Sequence, residues 1–267
     1  MNKITKKKPA PRKTTTSPKG IVEVPSDLAS LRAAINRLTD VDLSAADRLV
    51  VLQAVQAASF SCLDFDTARP EYLAALRQLA TDRDEDLRKR ALGILAREND
   101  KFAQKLLLDG LREPAKAAVP PEKALQLLSY NAHAGAYPVA REIVKNPPNP
   151  AAKREAIRLL SSDPQSAKVI EDLLADKNES VEVRRLSAEA LHSLRPERFQ
   201  RWAAKAISDK NEDEEMVATS LTALHQFGDA EAISGNQDLR KSVAKLRTKA
   251  PGKVKQLASR LTKKFGL

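Results

Sequence analysis

Apolar residues recur along this chain at the three- and four-residue spacing of helices, and almost nowhere with the alternation of strands. The clearest instance is IEDLLADKNESVEVRRLSAEALHSL, positions 170–194. A first apolar pattern ends at Leu173 and Leu174, and a short polar turn carries Asn178. A second pattern then sets Val183, Ser187, Ala188 and Leu191 on one helix face. Arg184 follows Asn178 by six residues. Together these predict an α-hairpin, two helices each with one apolar stripe.

The same unit recurs. Its second helix carries a cation, a small or apolar residue at +3, and apolar residues at +4 and +7. Arg48 is followed by Val51, Leu52 and Val55, and Arg88 by Ala91, Leu92 and Leu95. Lys123 is followed by Gln126, Leu127 and Tyr130, with Gln126 an imperfect fit. Lys153 is followed by Ala156, Ile157 and Leu160, and Arg184 by Ser187, Ala188 and Leu191. In the last copy Val217 replaces the cation, while Ser220, Leu221 and Leu224 keep the pattern. The steps between anchors are 40, 35, 30, 31 and 33 residues. Six positions before the anchor stand Asp42, Asp82, Asn178 or Asn211, types whose side chains accept backbone N–H bonds ahead of a helix. Ala117 and Pro147 fill that place in the third and fourth copies, whose connections are rich in proline.

First helices are expected at 27–38, 71–80, 101–111, 137–144, 166–174 and 199–207. The stretch 61–69, SCLDFDTAR, reads as a lengthened first connection and accounts for the 40-residue step. After Phe227 the repeat fades, and two further helical patterns remain at 237–249 and 251–265. Residues 1–24 hold Pro9, Pro11 and Pro18 and almost nothing apolar before Ile21, so they are expected to form a disordered basic tail. The division expected is therefore 1–24 tail, 25–236 repeat array and 237–267 basic capping helices.

Composition supports an all-α reading. The chain has 267 residues, 42% hydrophobic but only 4% aromatic, with 8 glycines, so its core must come from Leu, Ala, Val and Ile. A single cysteine, Cys62, excludes an internal disulfide and a four-thiolate zinc site, and fits a reducing compartment. No apolar run approaches the roughly 20 residues of a membrane span. Nor does an apolar stretch follow the basic N-terminus as a signal peptide requires. The expectation is a soluble cytoplasmic protein, with nucleoid or nucleus as alternatives.

Charge is unevenly distributed along the chain. The net charge is +11, with +7 in residues 1–20 and +9 in 237–267, so the remainder carries −5. Attraction of anionic partners therefore falls to the two ends.

A helix pair with Asp or Asn in the turn and Arg six residues on resembles the HEAT-repeat family. The matching residues are Asp82 with Arg88, Asn178 with Arg184 and Asp42 with Arg48. The tryptophan, glycine and tyrosine pattern of tetratricopeptide repeats is missing. The resemblance spans 25–227 and implies a right-handed α-solenoid of about six helix pairs, a scaffold for other macromolecules. HEAT-like arrays also include alkylpurine DNA glycosylases and bilin lyase subunits. Such a glycosylase would want aromatic residues on its concave face, and one Trp and three Tyr supply few.

The candidate sites follow. The anchors Arg48, Arg88, Lys123, Lys153 and Arg184 could form a basic ladder. The structural reading is that each bonds its own turn, as the family pattern implies. Lys6, Lys7, Lys8, Arg12 and Lys13 in the tail, and Lys253, Lys255, Arg260, Lys263 and Lys264 around the last helix, are candidates for anion or nucleic-acid binding. Against this stand a solubilising tail and a polar cap, since an array must end on a polar face. His192 and His225 have no Cys, Asp or Glu at ligand spacing, so no metal site is expected. No Gly-rich phosphate loop or nucleophile–base set stands out, and no cofactor or catalytic residue is assigned. The leading expectation is a non-enzymatic scaffold for a protein partner. The second is a nucleic-acid-binding module, DNA or RNA, that uses the basic ends.

Overall fold

The computed structural model describes residues 23–131, 135–250 and 252–267. Among these there is no strand, and fifteen α-helices follow one another. The chain divides into two compact units, 1–95 and 96–267.

The first unit holds α1 (Leu28–Leu38), α2 (Ala45–Ser61), α3 (Phe65–Leu79) and most of α4 (Glu85–Arg97). Asp27 caps α1 in a reciprocal capping box with Ser30. α1 packs against both α2 and α3, and an Arg32–Glu71 ion pair joins the two first helices. Most of the expected connection at 61–69 is helix, because α3 begins at Phe65 and runs through Pro70. A proline removes one backbone hydrogen bond and ordinarily ends a helix, which is why the pattern reads as a break. Here Phe65, Ala68 and Tyr72 are buried on one face, with the two rings edge-on at 5.5 Å, and that packing holds the turn before Pro70.

The second unit holds the remaining helices. They are α5 (Lys101–Arg112), α6 (Pro121–Leu128), α7 (Tyr137–Lys145), α8 (Pro150–Leu160), α9 (Ala167–Ala175), α10 (Val181–Leu194), α11 (Pro196–Ser208), α12 (Glu214–Phe227), α13 (Ala230–Gly235), α14 (Gln237–Lys249) and α15 (Gly252–Phe265). Consecutive helices pack as hairpins: α5 with α6, α7 with α8, α9 with α10, α11 with α12, α14 with α15. Second helices also pack in series, α6 on α8, α8 on α10, α10 on α12 and α12 on α15. α14 lies on α11. The terminal hairpin thus extends both rows, and the repeat that fades in sequence at Phe227 continues in packing. Val254, Ala258 and Leu261 are buried on α15 where the earlier helices bury theirs.

The +3, +4, +7 stripe is buried after Arg48, Arg88, Lys153, Arg184 and Val217. Lys123 does not fit. Gln126 and Tyr130 are exposed, and α6 ends before Tyr130. The buried residues are Ala124, Leu125, Leu127 and Leu128, and of the two registers only that of Pro121, with Ala124, Leu125 and Leu128 at +3, +4 and +7, has all three places buried. With Pro121 in place of Lys123, the steps on either side become 33 and 32 residues. Proline suits the first helical position because its missing N–H would have no partner there.

The side chains that cap these helices stand four residues before the anchor. Ser44, Asp84, Asn149, Ser180 and Asp213 each accept a backbone N–H from the first turn. The residues six before do less of this. Asp82 accepts from the Asp84 N–H, whereas Asp42, Asn178 and Asn211 donate their own N–H groups to Asp40, Asp176 and Asp209.

Ser187 and Ser220, both at +3, are fully buried with hydroxyls that meet no hydrogen-bond partner. The same place holds Ala91, Ala124 and Ala156 elsewhere. A buried hydroxyl without a partner costs about 1–3 kcal/mol. Ser187→Ala and Ser220→Ala are therefore expected to raise the melting temperature, each by roughly 0.5–2 kcal/mol of added stability. A fall in thermal denaturation experiments would mean that the hydroxyls are bonded.

Candidate functional site

The anchor cations reach forward. Arg48 passes over its own turn and binds Asp82 in the next, with Nη1 at 2.6 Å from Oδ2. Lys153 pairs with Glu179. Arg184 forms a two-pronged pair with Glu212 at 2.7 and 2.8 Å, and both side chains are only 4% exposed. Its Nε donates to the Leu174 carbonyl, 3.0 Å away. Each rung therefore fastens one hairpin to its successor, and the expectation that each cation bonds its own turn fails for Arg48, Lys123 and Lys153. Arg88 does bond its own turn, donating to the carbonyls of Asp82 and Arg83. Lys123 reaches only Gln126, on the surface.

Neighbouring residues run parallel rungs, Arg154 to Glu182, Arg185 to Glu215 and Lys177 to Asp209. Burial opposes ionisation of Glu212, but the Arg184 hydrogen bonds, the Asp213 N–H and nearby cations outweigh it, and the carboxyl is held below its ordinary value. Burial likewise opposes ionisation of Asp82, and Arg48 with the Asp84 N–H reverses that. The sequence signal for these partners is a carboxylate five or six positions before the next anchor: Asp82, Glu179, Glu212.

The terminal hairpin breaks this pairing. Residues 237–267 carry ten Lys and Arg and one acid, Asp238. Among the described residues none of those ten cations lies in an ion pair. Lys253, Lys255, Arg260, Lys263 and Lys264 are all exposed on α15. Lys264 caps the His225 carbonyl and sits 5.0 Å from the Phe265 ring. Lys6, Lys7, Lys8, Arg12 and Lys13 lie outside the described residues, as does His133. His192 packs against Phe227 and Phe199 at 4.6 and 5.5 Å. No group of three metal-ligating side chains occurs among the described residues. None of the described helices is long and apolar enough to cross a membrane.

Between the α11–α12 turn and the α14–α15 hairpin lies a groove of about 550 Å³. Ile207, Val217, Leu246 and Val254 form its apolar floor, and Lys241, Lys245 and Lys249 of α14 stand along one wall. The candidate cations of the C-terminal region all lie on α15, and none on α14. The lysines of α14 are legible as an i, i+4, i+8 row once that helix is recognised. A scan against models of known protein families finds no match for this chain, and a search of curated proteins finds none either.

Proposed function

We propose that this chain is a non-enzymatic interaction scaffold of the HEAT-like, right-handed solenoid type. Its hairpins carry a protein partner, and its terminal hairpin engages an anionic one. The observation that carries this reading is the contrast in charge pairing. Arg48, Lys153 and Arg184 in the body reach carboxylates of the following hairpin, whereas among the described residues none of the ten cations at 237–267 lies in an ion pair. A cluster of like charges repels itself until a partner supplies the opposite sign. The perturbed acids Asp82 and Glu212 are shifted down by hydrogen-bonded cations, which suits a structural bond and not a general acid or base.

Nucleic acid is the second reading, favoured by the seven further cations in residues 1–20. Titrations of the whole chain with labelled poly-L-glutamate, a DNA duplex and a single-stranded RNA, at low and at physiological salt, separate the two. The scaffold reading expects poly-glutamate to bind and Lys253→Glu with Lys263→Glu to weaken it about tenfold. A steep salt slope for DNA or RNA with no poly-glutamate binding would put nucleic acid first. No binding of any of the three at low salt would refute a binding role for the basic end.

A further inference from the structure

We propose that the groove between the α11–α12 turn and the α14–α15 hairpin receives an acidic amphipathic helix of a partner protein. The inference rests on the scaffold reading and names the class of partner for one surface of it.

Each rung of the ladder needs a cation at the anchor and a carboxylate five or six residues before the next anchor. Arg184 and Glu212 meet this, with Glu212 five residues before Val217. For the next rung the anchor is Val217, and the helix that packs on α12 is α15, with Val254 as its first buried residue. Five residues before Val254 stands Lys249. The cation has become apolar and the acid has become a cation. The groove opens at this missing rung, since both Val217 and Lys249 line it. Ile207 also lines it, and it stands ten residues before Val217 as Leu174, whose carbonyl holds Arg184, stands before Arg184.

The wall opposite the lysines carries Asp209, Glu212 and Glu214. Asp209 is held by Lys177, 2.6 Å away, and Glu212 by Arg184. Two of those three acids are therefore already committed, and among the described residues Lys241, Lys245 and Lys249 lie in no ion pair. A ligand that fits must bring apolar side chains for the floor and carboxylates for the wall. The lysines sit at i, i+4 and i+8, a line of about 12 Å along α14. A second helix with carboxylates at the same spacing and an apolar stripe beside them meets both demands, the helix-in-groove mode of recognition. A nucleic acid offers charge but no apolar stripe for Leu246 and Val254.

The test uses the whole chain and two labelled synthetic peptides of one composition. In one, leucines and glutamates follow helical spacing, and in the other their order is scrambled. The patterned peptide is expected to bind at least about tenfold more tightly than the scrambled one. Lys245→Glu with Lys249→Glu should weaken it about tenfold or more, while Lys101→Glu with Lys105→Glu, on α5 and outside both the groove and the basic end, should change it less than about threefold. All four lysines are exposed, so folding is expected to survive, and circular dichroism melts check it. Lys245→Gln with Lys249→Gln serves if the reversal does not fold. Equal binding of the two peptides, equal effects of the two variant pairs, or loss of the peptide to a competing DNA duplex at equal concentration would overturn the groove proposal. In each of these cases poly-glutamate binding by the basic end could still stand. Failure of both peptides and of poly-glutamate would overturn the scaffold reading as well.

Discussion

Arg184→Ala is expected to destabilise the chain by about 3–5 kcal/mol, the largest single loss among its charged residues. Arg184 and Glu212 are almost fully buried against each other, so truncating one leaves the other charged and unpaired. Replacing both partners by apolar residues of similar size, Arg184→Met with Glu212→Leu, is expected to come within about 1 kcal/mol of the parent or to exceed it. Urea denaturation of the three proteins decides this, and a double variant as weak as the single one would refute it. The pair also predicts a pH dependence. The Glu212 carboxyl is held below its ordinary value of 4.5. A group depressed on folding adds stability above its unfolded value and loses it as pH falls through the folded one. The advantage of the parent over Glu212→Gln should therefore be full near neutrality and shrink below about pH 4.5.

Leu125→Ala is expected to cost about 2–5 kcal/mol, and Gln126→Ala less than about 0.5 kcal/mol. Leu125 is fully buried and its neighbour is exposed. The two positions discriminate between the registers of α6. With Lys123 as anchor, Gln126 would share the stripe with Leu127 and Tyr130, and Leu125 would face away from it. With Pro121 as anchor, Ala124, Leu125 and Leu128 form the stripe. Thermal melts that showed Gln126→Ala to be the costlier change would restore the first register.

Helical periodicity placed helices at the expected first-helix positions because each carries a long apolar stripe, and one stripe admits one face. A helix of eight residues in a proline-rich stretch offers two overlapping stripes, and a basic residue at the expected spacing chose the wrong one. Pro70 misled in the opposite direction, since the packing of Phe65 and Tyr72 that tolerates it is tertiary and invisible to local pattern. The ladder was half legible. The cations stood out by their spacing, but their partners sit in the following hairpin, and only packing shows that the bond reaches forward. The cation cluster at 237–267 was plain from composition. The groove was not, because the residues of its floor come together from four helices.

The ladder has a consequence for how the chain is made. Its rungs join residues 34, 26 and 28 positions apart, as Arg48–Asp82, Lys153–Glu179 and Arg184–Glu212. Contacts of such short sequence separation require little loop-closure entropy before they form, so folding should be fast. It can begin on the ribosome once two neighbouring hairpins have emerged, without waiting for the C-terminus.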